Sequence, residues 1–138
     1  MEEPYALSIV REGAMSLGLP IWAWSATRGV HDGLLEDGDT IKDTEHPAAG
    51  LHAMAQLTST PSLFITLDLA DHLSDPRVVR ATRDLVHRLD QHAGHIVMID
   101  HTGDLPGAIQ AVATPFDVPL PDEAELEAIV RTTLRSLN

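Results

Sequence analysis

Asp68, Asp71 and Asp100 are the side chains of this 138-residue chain whose type and spacing best suit chemistry. Asp68 directly follows the apolar run 63–67, and Asp100 directly follows a second apolar run at 96–99. Such runs are typical of strands that are buried on both faces of a parallel sheet. Because open parallel sheets bind their ligands at the carboxyl ends of their strands, we expect these carboxylates to share one rim.

One hypothesis for this rim is a divalent-cation site, with Asp68, Asp71 and Asp100 as the ligands of an ion such as Mg²⁺. Asp68 also has the position of the Walker B aspartate, which helps to hold Mg²⁺ in P-loop ATPases. The sequence, however, contains no G-x-x-x-x-G-K-[ST] phosphate-binding motif, and Leu69 occupies the position of the usual water-activating glutamate. We therefore expect no ATP hydrolysis by this chain alone. The preferred role of Asp68 is to cap the loop before the next helix.

The composition argues against several classes of function. The formal charge of −12, from 21 acidic and nine basic residues, argues against a nucleic-acid partner, because binding to phosphates needs a basic patch. The absence of cysteine removes disulfides and thiolate chemistry. No apolar run approaches the roughly 18 residues that cross a bilayer. We expect a cytoplasmic protein with no membrane contact and no bound cofactor.

Trp22 and Trp24 lie two positions apart in a predicted short strand, so their side chains point to the same face. Packing of this pair against a helix in the core is the simpler interpretation. The alternative is that the two indoles face a protein partner, since aromatic residues are enriched at interfaces. Both tryptophans are therefore candidate interaction residues.

Apolar periodicity, together with the positions of proline and glycine, predicts that helices and strands alternate along the chain. The predicted elements are a helix at 2–17, a strand at 21–25, a loop at 27–44, a helix from 47, a strand at 63–68, a helix at 76–91, a strand at 95–100, a weaker strand at 111–120 and a last helix from 121. The apolar face of the first helix is predicted to consist of Tyr5, Ile9, Val10 and Leu17. The alternation predicts a three-layer α/β/α sandwich with a mostly parallel sheet, in a single domain of residues 1–138.

Short segments spread over nearly the whole chain resemble one family of AAA-type ATPases. The segments are residues 2–3, 19–29, 43–44, 47–49, 63–65, 68, 75–76, 79–85 and 118–122. The more specific among them are Trp24-Ser-Ala-Thr-Arg-Gly29 and the Pro-Leu-Pro-Asp-Glu motif at 119–123. Through these residues the chain is similar to uncharacterised AAA-type ATPases encoded in algal chloroplast genomes, in cyanobacteria and more widely in bacteria.

In that family a degenerate amino-terminal domain, AAA-like but lacking the P-loop, precedes the domain that hydrolyses ATP. The resemblance implies that this chain is such a degenerate P-loop NTPase domain and that Arg28 has a subunit-contact role. The chain departs from the family pattern at both ends, because no strand precedes the helix at Glu2 and no ATPase domain follows Asn138. It is therefore either a piece of a longer ATPase or a stand-alone relative.

Three functional hypotheses follow. The favoured one is a non-catalytic regulatory or assembly module, which contacts an ATPase domain or further copies of itself through Trp22, Trp24 and Arg28. The runner-up is a small metal-dependent hydrolase or phosphotransfer domain that uses the three rim aspartates. The third is a nucleotide sensor that binds Mg²⁺ and ATP without hydrolysis, for which the glycines at 29–33 are a weak phosphate-binding candidate.

Overall fold

A four-stranded sheet with helices on both faces forms the part of the chain that the computed structural model describes, residues 2–34, 38–92, 94–100 and 105–111. The helices are α1 (Glu2–Leu17), α2 (Pro47–Gln56), α3 (Pro76–His92) and α4 (Gly107–Gln110), and a 3₁₀ turn covers Leu69–His72. The strands are β1 (Ile21–Ser25), β2 (Gly29–Asp32), β3 (Leu63–Leu67) and β4 (His95–Ile99). The predicted α/β fold class is confirmed.

The sheet has the strand order β2-β1-β3-β4, and β1, β3 and β4 are parallel to one another. In this register Trp24 lies beside Thr66, and Thr66 lies beside Met98. Only β2 is antiparallel, because a short hairpin turn joins it to β1. The carboxyl ends of the three parallel strands therefore lie at one edge of the sheet, as expected.

One face of the sheet packs against α2, α3 and α4 and forms the larger apolar cluster. The cluster includes Trp24 and Phe64 from the sheet, Met54 from α2 and Leu85 from α3, and each of these side chains is at most 1% exposed. The buried positions of α3 are Val78, Thr82, Leu85 and Leu89. Their spacing of three or four residues is that of one helix face, so the predicted helix is confirmed.

The other face packs against α1, and here the predicted side-chain assignment was wrong for two of its four residues. Ile9 and Leu17, which were expected to be buried, are 50% and 74% exposed, whereas Ala6 and Ala14 are buried. Ala14 lies in a small cluster with Ile21, Ala23, Leu63 and Ile65. Val10, a residue of the predicted apolar face, does pack partly buried against this cluster, as does Leu7, so α1 contacts the sheet through the face that contains Leu7, Val10 and Ala14.

The predicted loop at 27–44 contains a strand that the sequence analysis missed. β2 pairs with β1, and the segment after it folds back along β2, where Ile41 N donates to Val30 O at 2.8 Å and His31 bridges to Thr40. Composition concealed this strand, because its pairing depends on backbone groups and not on an apolar run.

The short helix α4 was also missed. The strand expected at 111–120, except for its first residue, and the helix from 121 lie outside the described residues.

Candidate functional site

The carboxyl edge of the sheet brings together the two strand-end aspartates that the sequence singled out. β3 ends at Leu67 and β4 ends at Ile99, and the backbone N–H of Asp68 donates to the carbonyl of Ile99 at 3.0 Å. The strand ends are thus joined directly by a hydrogen bond. Asp68 and Asp100 consequently occupy neighbouring positions on one rim, as the parallel register requires.

Asp68 has a left-handed backbone, with φ of 58°, which turns the chain sharply from β3 into the 3₁₀ turn. Aspartate tolerates this conformation better than most residues. Asp68 occupies the capping position of the turn, but its exposed side chain makes no capping hydrogen bond. The predicted capping role therefore belongs to a different residue.

Asp100 holds the 3₁₀ turn in place. Its Oδ1 accepts a hydrogen bond of 2.8 Å from the backbone N–H of Ala70, thirty residues earlier in the chain. A carboxylate that accepts from a backbone donor at the start of a helical turn satisfies a group that would otherwise lack a partner. One rim carboxylate therefore has a structural role.

The predicted cation site is not supported by this arrangement. Within residues 2–34, 38–92, 94–100 and 105–111, no three histidine, aspartate or glutamate side chains lie close enough together to hold a metal ion. Asp68, Asp71 and Asp100 thus form no three-ligand cluster within these ranges, and their role as metal ligands stays a prediction. The physical reason is that Asp100 binds the backbone of the turn, while Asp71 is exposed on the turn itself. The metal-dependent hydrolase interpretation loses its support with this site.

The hairpin turn between β1 and β2 lies at the same edge and carries Arg28. Ser25 Oγ accepts a hydrogen bond from Arg28 N at 3.3 Å and lies 3.3 Å from the hydroxyl of Thr27. Gly29 then adopts a φ of 70°, and its missing Cβ leaves room for the Thr44 side chain. The motif at 24–29 is therefore a tight turn that presents half-buried Arg28 next to the rim.

Trp24 is a core residue, as the simpler interpretation of the tryptophan pair holds. Its side chain is 1% exposed, and its Nε1 donates to the carbonyl of Thr44 at 2.8 Å. The His72 ring packs edge-on against the indole, with centroids 5.8 Å apart. Trp24 has no exposed surface to offer to a partner. Trp22 and Arg28 are half-buried, so their contact role stays a prediction.

The α2 helix passes directly over this tryptophan because Gly50 faces it. A Cβ at Gly50 would collide with the indole of Trp24 and would lie 2.9 Å from the Thr44 carbonyl. The hydroxyl of Thr44 accepts a hydrogen bond from Val30 N at 2.8 Å. Thr44 therefore links the loop before α2 to the hairpin, and both pack together with α2. Thr66, beside Trp24 in the sheet, has a buried hydroxyl with no hydrogen-bond partner among the described residues.

Two titratable groups outside the rim have shifted pKa values with clear causes. Burial lowers the pKa of His31 below its usual value, although a hydrogen bond with the Gly29 carbonyl opposes the shift. A side-chain hydrogen bond from Arg77 lowers the pKa of Asp75, which caps the first turn of α3 by accepting from Arg77 N at 2.9 Å. The predicted start of α3 at Asp75-Pro76 is thereby confirmed.

A groove between α2 and α3 was not anticipated from the sequence. It has a volume of about 340 Å³, and its lining residues are His52, Ala55, Gln56, Ala81, Asp84, His87 and Arg88. On α3, the charged residues Arg77, Arg80, Asp84 and Arg88 lie three or four positions apart, a spacing that predicts ion pairs between neighbouring turns. Arg80 and Asp84 do form such a pair at 3.0 Å, whereas Arg77 pairs with Asp75.

Residues 1–118 match the family model described as the SpoVK-like AAA ATPase, N-terminal domain. Comparison with curated proteins and with solved structures finds no significant match. The family match supports the resemblance to an amino-terminal AAA ATPase domain, while the affiliation with chloroplasts and cyanobacteria stays a prediction. None of the helices in the described ranges is long and apolar enough to cross a lipid bilayer.

Proposed function

Since the chain belongs to the SpoVK-like AAA ATPase N-terminal domain family, we propose that it is a non-catalytic assembly or regulatory module of an AAA-type ATPase. In this proposal the module acts through protein contacts, either with an ATPase domain or with further copies of itself. It binds neither nucleic acid nor membrane, carries no cofactor and works in the cytoplasm. The chemistry of ATP hydrolysis belongs to a different domain.

The use of Asp100 is the observation that carries the non-catalytic part of the proposal. In an ATPase this edge of the sheet positions carboxylates for Mg²⁺ and for the attacking water. Here Asp100 accepts from Ala70 N, and the N–H of Asp68 pairs with the Ile99 carbonyl. One rim carboxylate and one rim backbone N–H are thus used to close the edge of the sheet. Leu69, where a water-activating glutamate would stand, is fully buried in the core.

The protein-contact part of the proposal is supported by large apolar side chains and an arginine at the described surface. Ile9, Met15 and Leu17 of α1 and Leu34 after β2 are large apolar side chains with 43% to 74% exposure. Arg28 lies at the tip of the hairpin beside the rim. A module that works by contact needs such residues at its surface, whereas a catalytic domain needs convergent polar groups in a cleft.

The test is a calorimetric titration of the purified chain with Mg²⁺ and ATP, combined with a mass determination by light scattering on the same sample. The proposal predicts no saturable heat from nucleotide. It also predicts a species larger than the monomer, formed either by the chain alone or after mixing with an AAA ATPase domain of the same family. Saturable heat at micromolar ATP, lost in Asp68→Asn, would overturn it and would identify the rim as a nucleotide site.

A further inference from the structure

The first turn of α2 is capped by a histidine. His46 precedes Pro47, the first residue of the helix, and its Nδ1 accepts a hydrogen bond of 3.2 Å from the backbone N–H of Ala48. Proline has no N–H, and Gly50 N donates to the His46 carbonyl at 2.9 Å. The Ala48 N–H is a donor that the helix itself cannot satisfy, and the imidazole satisfies it.

This cap requires the neutral form of the imidazole. Nδ1 can accept a hydrogen bond only while its lone pair is free, which places the ring proton on Nε2. When Nδ1 takes up a proton it becomes a donor, and the hydrogen bond from Ala48 N is lost. The resulting cation also lies at the positive end of the helix dipole, where a positive charge is unfavourable. The first turn itself, Pro-Ala-Ala-Gly, contains no acidic residue that could take over the cap.

The neighbouring helix α3 has a cap that responds differently to pH. Asp75 accepts from Arg77 N at 2.9 Å and forms an ion pair of 3.0 Å with the Arg77 guanidinium. The side-chain hydrogen bond from Arg77 lowers the pKa of Asp75, and the charge of His46 contributes a smaller part of the same shift. Asp75 therefore stays ionised where histidines titrate. Its carboxylate and that of the preceding Glu45 favour a protonated His46 and so oppose the cap of α2.

The capped turn is the part of α2 that lies over Trp24. Gly50 belongs to this turn, and a Cβ there would collide with the indole. Trp24 Nε1 donates at 2.8 Å to the carbonyl of Thr44, two residues before the capping histidine. The same indole also contacts the ring of His72, with centroids 5.8 Å apart. The cap, the turn and the buried tryptophan are therefore joined by direct contacts, so loss of the cap reaches the core.

We propose that His46 is a pH-sensitive cap of α2: its neutral ring holds the first turn over Trp24, and protonation at Nδ1 releases the Ala48 N–H and loosens that turn. Because the folded state favours the neutral ring, the cap contributes to stability above the pH range in which histidines titrate. This contribution is lost as the pH falls through that range. The inference goes beyond the proposed function, since it concerns α2 within a single chain and requires no partner.

Urea unfolding of the whole chain and of His46→Asn, at about pH 7.5 and about pH 5.5, measures the contribution of the cap. Asparagine is a strong N-cap that does not titrate in this range. On acidification, the unfolding equilibrium constant of the wild type should rise about fivefold more than that of His46→Asn, the value of one lost cap. The effect of buried His31 is the same in both proteins and cancels. Equal rises in the two proteins would overturn the proposal.

His52→Gln is the matched control, since His52 is an exposed histidine in the middle of the same helix. It should behave like the wild type, and a response equal to that of His46→Asn would contradict a specific role of the cap.

Nuclear magnetic resonance of the ¹⁵N-labelled chain locates the change. Acidification should lower the protection of the Ala48 N–H against hydrogen exchange, corrected for the intrinsic pH dependence, in the wild type and not in His46→Asn. In a His72→Phe background, which removes the other ring that contacts the indole, the Trp24 Nε1–H signal should move with the titration of His46. Constant protection of Ala48 in the wild type would overturn the cap, and a fixed indole signal would overturn the loosening of the turn.

Discussion

The sheet face under α2, α3 and α4 buries twelve apolar residues in one cluster, whereas the face under α1 buries five in the described residues. β1 explains the difference, because its alternating positions place Trp24 on the first face and Ala23 on the second. On the α1 face, Leu67, Val97 and Ile99 remain partly buried. The comparison teaches that the first face supplies most of the stability, while the second retains apolar surface.

A pair of leucine truncations tests this difference most directly. Leu85→Ala removes a fully buried side chain from the larger cluster and should lower the free energy of unfolding by about 4 kcal/mol. Leu63→Ala, on the α1 face, should cost about 2 kcal/mol, because fewer buried neighbours surround the resulting cavity. Urea unfolding followed by tryptophan fluorescence measures both. Equal losses would show that the two faces stabilise the fold equally.

Two glycine substitutions, one in α2 and one in α1, should change the stability of the protein in opposite directions. Gly50→Ala should destabilise the protein by about 2 kcal/mol, since the added Cβ collides with Trp24 under α2. Gly13→Ala, in α1, meets nothing within 4 Å and should stabilise the protein by roughly 0.5 to 1 kcal/mol through helix propensity. Thermal unfolding of the two variants gives the sign. A stabilising Gly50→Ala would contradict the close approach of α2.

Two threonines on the larger face differ in whether their hydroxyls have partners. Thr44→Val removes the acceptor of the Val30 N–H and should cost about 1.5 kcal/mol. Thr66→Val removes a buried hydroxyl that has no partner among the described residues, and we expect a gain of up to about 1 kcal/mol. Chemical denaturation measures both variants. A loss of stability in Thr66→Val would indicate that its hydroxyl does have a partner.

The smallest expected effect is a pH dependence on the α1 face, where His31 lies opposite Ala23 of β1. Burial lowers the pKa of His31 in the folded protein, so the folded state binds fewer protons than the unfolded state. Its contribution to stability is present above the unfolded pKa of about 6.5 and is lost as the pH falls towards the folded pKa. His31→Gln should make the free energy of unfolding depend less on pH between the folded and the unfolded pKa of His31. His52→Gln is the control, because it removes an exposed histidine. An unchanged pH profile in His31→Gln would contradict the assignment.

Most of the regular elements could be predicted because their apolar spacing is strong. The strand at Leu63–Leu67 and the helix at Pro76–His92 are examples with clear periodicity and a proline boundary. β2 could not be predicted, because Gly29–Asp32 has no apolar run. It pairs through its backbone with β1 and with the folded-back segment. The exposure of Ile9 could not be predicted either, since it depends on which face of α1 meets the sheet, and that face contains Ala14 and the partly buried Val10.

The candidate site shows the same limit. Asp68 and Asp100 were found because a carboxylate after a buried strand must lie at the sheet edge. The sequence did not predict the hydrogen-bond partners of these carboxylates, because the partners depend on the path of the chain after β3. The Ala70 N–H that binds Asp100 is thirty positions away, and the groove depends on which faces of α2 and α3 meet. Local pattern predicts elements better than it predicts their contacts.

The strand order has a consequence for the sequence of events in folding. The β1–β2 hairpin pairs residues that are close in the chain, such as Ser25 with Gly29. The parallel pairs instead join Ile21 to Leu63 and Leu63 to His95, so each must wait for an intervening helix to be placed. Closure of those long loops costs chain entropy before it gains contacts, and parallel pairing is intrinsically slow. We therefore expect the hairpin to form early as a nucleus and β4 to join the sheet last.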